Sequence, residues 1–290
     1  MEGKVLKQER IIHKVNRFYL YVIIWSIIVQ FLPIPFNAYQ YVSFLIPISI
    51  YLFINREKAE RILKPNVLDF KSTIIIFAIW FCMLPILVSI VALYTKFFGS
   101  TLADIIAYDY HNTFVGSIIF TAVTPAIFEE ILMRGIILDG YRNKSYFVAA
   151  LMNGLLFGML HLNFFQFFHT FIAGFIASYL VFATNSIYAG MIIHFINNGF
   201  PIIIDYLYPP DPNIGYASNP NFSSCFVSVV FSVAVIYMLI GLLAKVNGVN
   251  LKKKKNISDE KIINASLIIS IILFILFSIL LITLISKTPS

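Results

Sequence analysis

The side chains that could carry chemistry in this chain are polar and titratable residues that interrupt otherwise apolar segments. Six of them stand out, in three separate segments: Glu129, Glu130 and Arg134, then His161, then His194 and Asn198. A charged or strongly polar group in an apolar environment costs several kcal/mol unless it is paired or faces water, so such residues are functional candidates by default. We therefore begin with what these six side chains could do together.

The spacing of these six residues predicts different roles for them. Glu130 and Arg134 are four residues apart, which places them on one face of a helix as an ion pair. Glu129 points about 100° away from Glu130, because an α-helix has about 3.6 residues per turn. His194 and Asn198 are also four residues apart. The sequence therefore predicts one neutralised carboxylate, one carboxylate free to face a cavity, and an imidazole beside a carboxamide.

The depths of these residues also agree. At about 1.5 Å of rise per helical residue, counting from the ends of the apolar segments puts all three groups in one layer of the membrane. Isolated His and Asn side chains often serve only to hold helices together. A set that converges at one depth from three segments favours a single polar site instead.

A carboxylate beside an imidazole can hold and deprotonate a water molecule, and Glu129 with His161 would form such a pair. Peptide hydrolysis also needs hydrogen-bond donors aimed at the developing oxyanion, which His194 and Asn198 could supply. The same chemistry is open to a divalent metal such as zinc held by Glu129, His161 and His194, since two His and one carboxylate form a known catalytic set. The residues alone leave both mechanisms open.

The motifs resemble those of a known family. Glu-Glu-x-x-x-Arg, Phe-x-x-x-His and His-x-x-x-Asn, in that order on successive apolar segments, are similar to those of the CPBP group of intramembrane proteases, which includes the Ras-converting CAAX endopeptidase. The resemblance covers about residues 114–205. It implies that Glu129 and His161 activate water and that His194 and Asn198 bind the oxyanion. Glu130 and Arg134 would be supporting members of the motif. The family has been described both as metal-dependent and as metal-independent proteases, and of the two we expect the metal-independent mechanism, without a cofactor.

The amino-acid composition indicates which kind of structure positions these six side chains. Of the 290 residues, 59% are hydrophobic and 12% are charged, whereas soluble domains carry about 25% charged residues. We expect one all-α membrane domain over residues 1–290, a bundle of about nine spans with eight possible, whose catalytic motif region is 114–205. The predicted spans are about 18–36, 38–54, 72–95, 114–132, 146–160, 164–183, 187–207, 222–244 and 262–286; the second and fifth are short.

Basic residues predict the orientation, since cytoplasmic loops of membrane proteins are enriched in Lys and Arg. All but three of the 21 basic residues fall on the N-terminal tail and on alternate loops; the three are Lys96, Arg134 and Lys287. A cytoplasmic N-terminus follows. The Ile-, Asn- and Lys-rich composition indicates a prokaryotic cell membrane, and the net charge of +7 reflects loop residues and not a nucleic-acid partner.

A few other residues have predicted structural roles. His169 is predicted to make a structural hydrogen bond and not to act as a ligand. Gly135, Gly154 and Gly158 are predicted to allow close helix approach, and Pro125 to kink the helix before the glutamates.

The function we expect is an intramembrane endopeptidase that acts on a peptide or membrane-protein substrate within the lipid bilayer. Two rivals remain. The first is a non-catalytic membrane protein that binds a peptide or confers bacteriocin self-immunity. The second is a secondary transporter, which would have two related halves with broken helices; no such internal symmetry is visible.

Overall fold

The described residues of the computed structural model are 10–107, 113–209, 222–252 and 258–285, and in these ranges the chain is helical without any strand. The helices are α1 Ile11–Gln30, α2 Tyr41–Ile54, α3 Ala59–Leu63, α4 Phe70–Phe98, α5 Thr101–Ala107, α6 Phe114–Gly140, α7 Tyr146–Leu160, α8 Phe164–Thr184, α9 Ile187–Leu207, α10 Phe222–Val246 and α11 Ala265–Ile285. The predicted all-α polytopic bundle is confirmed.

Seven of the described helices are long and apolar enough to cross a membrane. They are α1, α4, α6, α8, α9, α10 and α11. The helices α2 and α7 are apolar but shorter, with 10 to 17 residues each, and they correspond to the short second and fifth predicted spans. The protein is therefore an integral membrane protein, while the count of nine complete crossings and the side of the N-terminus remain predictions.

Two predicted boundaries are wrong. The sequence predicts the first span at 18–36, but α1 begins at Ile11 and ends at Gln30, because Pro33 and Pro35 follow and cannot continue it. Its early start is stabilised by burial, since Asn16 is inside the protein and donates to the Ile262 carbonyl at 3.1 Å. The fourth span is predicted to end at residue 132, but α6 continues to Gly140.

The helix α6 is not a regular α-helix. Its stretches Ile118–Val123 and Ile131–Ile137 are π-helical, with α-helical turns between them. Each π-helical stretch is wider than an α-helical turn and shifts the register of the side chains, and such stretches are frequent at functional sites. Glu129 and Glu130 lie on the short α-helical segment between the two.

The helices α7 and α8 pack so closely that their glycines cannot carry a side chain. A Cβ atom at Gly154 would lie 2.7 Å from the Phe171 carbonyl oxygen, and one at Gly158 would lie 2.8 Å from the Phe167 carbonyl oxygen. The predicted close approach is confirmed at these two positions. It is wrong for Gly135, where the nearest atom would be at an ordinary 3.5 Å.

A buried polar chain joins α6, α7 and α8 next to this seam. Asn153 donates to the Met133 carbonyl at 2.7 Å and accepts from the Ser178 hydroxyl at 2.9 Å. All three partners are buried, and an unpaired amide in that position would cost about 1–3 kcal/mol. The chain of bonds therefore fixes the relative placement of the helices that carry Glu129 and His161.

Candidate active site

One cavity of about 380 Å³ is lined by all six residues that the sequence singled out. They reach it from three helices: Glu129, Glu130 and Arg134 from α6, His161 from the end of α7, and His194 and Asn198 from α9. The convergence that depth counting predicted is thus present in the structure. Both glutamates line the cavity, although they are adjacent residues on the α-helical segment of α6.

The turn between α7 and α8 places His161 at the cavity. His161 follows the last residue of α7, Leu162 takes a left-handed conformation with φ +56°, and Asn163 caps α8. The Asn163 side chain accepts a hydrogen bond from the backbone N–H of Gln166 and donates one to the His161 carbonyl, both at 2.8 Å. Because the turn is held on both sides, His161 has a fixed direction into the cavity.

The carboxylate of Glu129 lies between two imidazoles. Its Oε2 is 3.9 Å from His161 Nε2 and 4.0 Å from His194 Nε2, distances too long for direct hydrogen bonds. Its Oε1 accepts from Gln40 Nε2 at 3.3 Å. The residue is buried, with 6% of its surface exposed, and Oε2 has no protein partner among the described residues.

The contacts of the two histidines determine where their hydrogens are. His161 Nδ1 is 3.0 Å from the Phe157 carbonyl oxygen, and His194 Nδ1 is 2.9 Å from Glu130 Oε1. A carbonyl and a carboxylate can only accept, so both Nδ1 atoms carry hydrogen. Each Nε2 that faces Glu129 is therefore a lone-pair acceptor when its ring is neutral and a donor only when the ring is protonated.

Glu130 is held through one oxygen, Oε1, while its Oε2 has no hydrogen-bond partner among the described residues. It forms the predicted ion pair with Arg134 at 2.8 Å, with about 1% of each side chain exposed, and the same oxygen is bonded to His194. The Arg134 guanidinium also lies over the Phe157 ring, 4.3 Å from its centroid, a favourable cation–π arrangement. Glu130 fits closely against Gly190, because a Cβ atom there would overlap Oε2.

Phe157 is the apolar centre of the group. Its ring packs edge to face against His161, with centroids 5.1 Å apart, and against His194 at 5.7 Å. Since Arg134 contacts the same ring, three site residues depend on one aromatic side chain. This explains the role of the first residue in the Phe-x-x-x-His motif.

The Asn198 carboxamide is fixed at both ends. Its Nδ2 donates to the Thr121 carbonyl at 3.1 Å, and its Oδ1 accepts from Asn197 at 3.4 Å. The Thr121 carbonyl is available because Pro125, four residues on, has no N–H to complete an α-helical bond. The second N–H of Asn198 makes no hydrogen bond within the described ranges, and a ligand in the cavity can use it.

His169 makes the structural hydrogen bond that was predicted, with Nδ1 3.1 Å from the Phe165 carbonyl oxygen. It also lines the cavity, together with Gln166 and Thr170 from the same face of α8. Gln40 and Asn37 line it from the connection between α1 and α2. Sequence reasoning missed both; their only signal was polarity beside Pro33 and Pro35, at the end of an apolar segment.

The ligand types of a zinc site are present, but their spacing is wide. Two ligands about 2.0–2.1 Å from a tetrahedral zinc ion lie roughly 3.4 Å from each other, less than the 3.9 and 4.0 Å that separate Glu129 Oε2 from the two Nε2 atoms. In the described part of the chain, no group of three or more His, Cys, Asp or Glu side chains is placed to hold a metal ion. Binding zinc here would require these side chains to move inward.

Comparison with known proteins agrees with the motifs. Residues 111–200 match the model of a family described as type II CAAX prenyl endopeptidase Rce1-like. The match covers the helices that carry the six site residues and not those before or after them. No curated protein and no solved structure matches the chain. The family match supports assigning the chain to the CAAX/CPBP intramembrane proteases, and supports endopeptidase activity in general.

Proposed function

We propose that this protein hydrolyses a peptide bond of a membrane-associated peptide or protein, with Glu129 and His161 activating the water. The observation that carries the proposal is Glu129 Oε2, a buried oxygen without a protein partner among the described residues, which faces two imidazole nitrogens. A buried carboxylate oxygen without a donor is costly, so the position is suited to a water molecule. The family match supports the class of reaction.

A single water molecule fits between these groups. Two atoms 3.9 Å apart, such as Glu129 Oε2 and His161 Nε2, can both lie about 2.8 Å from one water oxygen. The water would donate a hydrogen to each of them when His161 is neutral. Its oxygen lone pair is then directed away from both acceptors and toward a substrate carbonyl in the cavity.

The reaction transfers one proton in each direction. The water oxygen bonds to the carbonyl carbon while Glu129 takes the proton, and the carbonyl oxygen becomes an oxyanion. Glu129 then gives the proton to the amide nitrogen, the carbon–nitrogen bond breaks, and the products are a carboxylic acid and an amine. Such general acid–base catalysis contributes about 10²–10⁴-fold to the rate. His161 would steady the water throughout.

His194 and Asn198 are the donors that we assign to the oxyanion. The Nδ1 hydrogen of His194 is committed to Glu130, so its Nε2 can donate only if the ring carries both hydrogens. Because Glu130 holds Nδ1, the opposite nitrogen, Nε2, faces Glu129 Oε2 at 4.0 Å. Asn198 offers the N–H that Thr121 does not use. Removing one oxyanion donor typically costs about 10²–10³-fold in rate.

Zinc is the alternative means of activating water in this site. Glu129, His161 and His194 would hold it, and it would supply Lewis-acid polarisation of the water and the carbonyl. We favour the metal-free reaction because the separations above are wider than a zinc site requires. Treatment with a strong chelator distinguishes the two.

The substrate is best sought without assuming its chemistry. Membrane peptides from cells that express the wild-type protein would be compared by mass spectrometry with those from Glu129→Ala and His161→Ala cells. We expect one or more peptides to accumulate uncleaved in both variants. Glu57→Ala serves as the matched control, because Glu57 is an exposed glutamate outside the cavity.

The same comparison tests the rival functions. A protein that only binds a peptide or confers immunity would give identical peptide profiles in the wild type and in both variants. That outcome, confirmed with purified protein, would sink the protease proposal.

A further inference from the structure

Gln40 lies outside the motif region, directly before α2, yet it reaches the centre of the site. In the described part of the chain, its Nε2 supplies the one hydrogen bond that the Glu129 side chain accepts, to Oε1 at 3.3 Å. The two residues are 89 positions apart. Neither the family match nor the motifs include this contact.

The backbone around Gln40 is held in place by two neighbouring contacts. The ring of Tyr41 packs edge to face on Phe128, with centroids 5.3 Å apart, so residues adjacent to each partner of the Gln40–Glu129 pair also meet. The Val42 carbonyl accepts from Trp25 Nε1 at 2.8 Å, which ties the first turn of α2 to α1. Gln40 is thus presented to Glu129 by packed elements.

The bond decides which carboxylate oxygen is free. A carboxylate can rotate about its last side-chain bond, and tethering Oε1 to Gln40 leaves Oε2 facing His161 and His194. The donor is a neutral amide, so it orients the carboxylate without neutralising its charge. Glu130 differs on this point, because its partner is the guanidinium of Arg134.

We propose that Gln40 is a positioning residue for Glu129, and that the connection between α1 and α2 is therefore part of the reaction centre. This inference rests on the proposed function, since it assigns Gln40 a task only if Glu129 activates water. A purely structural Gln40 would instead hold α2 against α6. Tyr41 and Phe128 already supply packing between these helices, so the two roles can be separated by kinetics.

The test uses the full-length protein in lipid nanodiscs and a quenched-fluorescence peptide built on a sequence that accumulates in Glu129→Ala membranes. Gln40→Leu removes the donor and keeps the volume similar. We expect kcat to fall about tenfold, with KM within about twofold, because a hydrogen bond to a charged group is lost in a positioning role. Asn55→Leu is the matched control, since Asn55 is an amide at the other end of α2 that donates to the Tyr51 carbonyl and does not line the cavity, and both constants should stay within about twofold.

A second variant, Gln40→Glu, gives a pH signature that a structural role would not. The protonated form of the introduced carboxyl can donate to Glu129 as the amide does, whereas its ionised form repels Glu129. Relative to wild type, the kcat of this variant should therefore fall as the pH rises. His161, His194, Glu130, Arg134 and Tyr39 also surround Glu129, but they are shared with the wild type, so the ratio of the two profiles isolates the substituted position.

Infrared spectroscopy supplies a readout that needs no substrate. The difference between wild type and Glu129→Gln identifies the carboxylate band of Glu129, and Gln40→Leu should shift that band while Asn55→Leu leaves it in place. An unshifted band, or a wild-type kcat in folded Gln40→Leu alongside an inactive Glu129→Ala, overturns the inference. Wild-type turnover by Glu129→Ala overturns the proposed function itself.

Discussion

The neighbouring carboxylates of Glu129 and Glu130 belong to two regions of one site with opposite surroundings. Glu130 is paired with the Arg134 guanidinium and with His194 through one oxygen, and about 1% of its side chain is exposed. Glu129 has one neutral donor, and its second oxygen faces the cavity between two imidazoles. Two groups of identical chemistry and adjacent sequence position are therefore set up for different tasks.

The difference shows how one site can assign two tasks to two carboxylates: one orients the neighbouring side chains, and the other takes part in the reaction. Each carboxylate has one oxygen without a hydrogen-bond partner among the described residues, so the difference lies in the surroundings. Glu130 is paired with a buried guanidinium and orients its partners, while Glu129 Oε2 faces two imidazoles, where it can bind water and take a proton. On this account Glu130 pairs with Arg134 and orients the His194 ring, and Glu129 takes the proton from water. Variants of each residue should therefore fail in different ways.

The largest expected effect is on catalysis by Glu129→Gln. This change removes the proton acceptor while keeping the size of the side chain, so cleavage of the peptide substrate should fall by about 10³-fold or more. The thermal unfolding midpoint of the purified protein should barely change, because no ion pair is lost. Activity would be followed by quenched fluorescence, and strong destabilisation of this variant would contradict the division of roles.

The next effect is on stability, in Glu130→Gln. This change leaves the Arg134 charge buried and unpaired, which should destabilise the fold by about 3–5 kcal/mol. The double variant Glu130→Gln with Arg134→Met removes the charge as well. We expect it to recover most of the stability, measured by thermal unfolding in detergent, but not the activity, because His194 still lacks its carboxylate. Recovery of both would show that Glu130 serves only the ion pair.

A smaller effect is expected from added volume at the Glu130 position. Gly190→Ala would push a methyl group against Glu130 Oε2 and should cost about 1–3 kcal/mol. Gly135→Ala is its control, since the nearest atom there would be 3.5 Å away, and the change should be below about 1 kcal/mol. Equal unfolding midpoints for the two variants would mean that Glu130 is not packed against α9.

The smallest expected effect is that of chelation. If Glu129 holds the water without a metal, prolonged treatment with a strong chelator should leave the rate of peptide cleavage unchanged. Loss of activity that returns on adding zinc would instead assign Glu129, His161 and His194 as ligands. It would end the contrast between Glu129 and Glu130. Glu129 would then bind the ion directly, and Glu130 would orient His194, another of its ligands.

Much of this site could be predicted from the sequence because burying charged and polar side chains in a membrane costs free energy. Ionisable residues in apolar segments are rare, so the convergence of the six residues and the pairing of Glu130 with Arg134 followed from type and spacing. The assignment of catalytic roles to them stays a prediction. The link from Glu130 to His194 was not predicted, since it joins residues 64 positions apart and depends on how α6 and α9 pack.

Other features of the site and the fold could not be predicted from the sequence, each for a physical reason. Gln40 is neutral and lies at the edge of an apolar helix, where an amide is unremarkable by composition. The π-helical stretches of α6 depart from the count of about 100° per residue that the sequence analysis used. The first helix begins early because buried contacts such as that of Asn16 outweigh the polar sequence before residue 18. Tertiary packing decided each of these outcomes.

The most direct test of the central claim follows the oxygen of the water. The purified protein would cleave its peptide substrate in heavy-oxygen water, and mass spectrometry would examine the new carboxyl end of the product. The account predicts that the wild type incorporates one heavy oxygen atom there and that Glu129→Gln gives no labelled product under the same conditions. Labelled product formed by Glu129→Gln at the wild-type rate would contradict it.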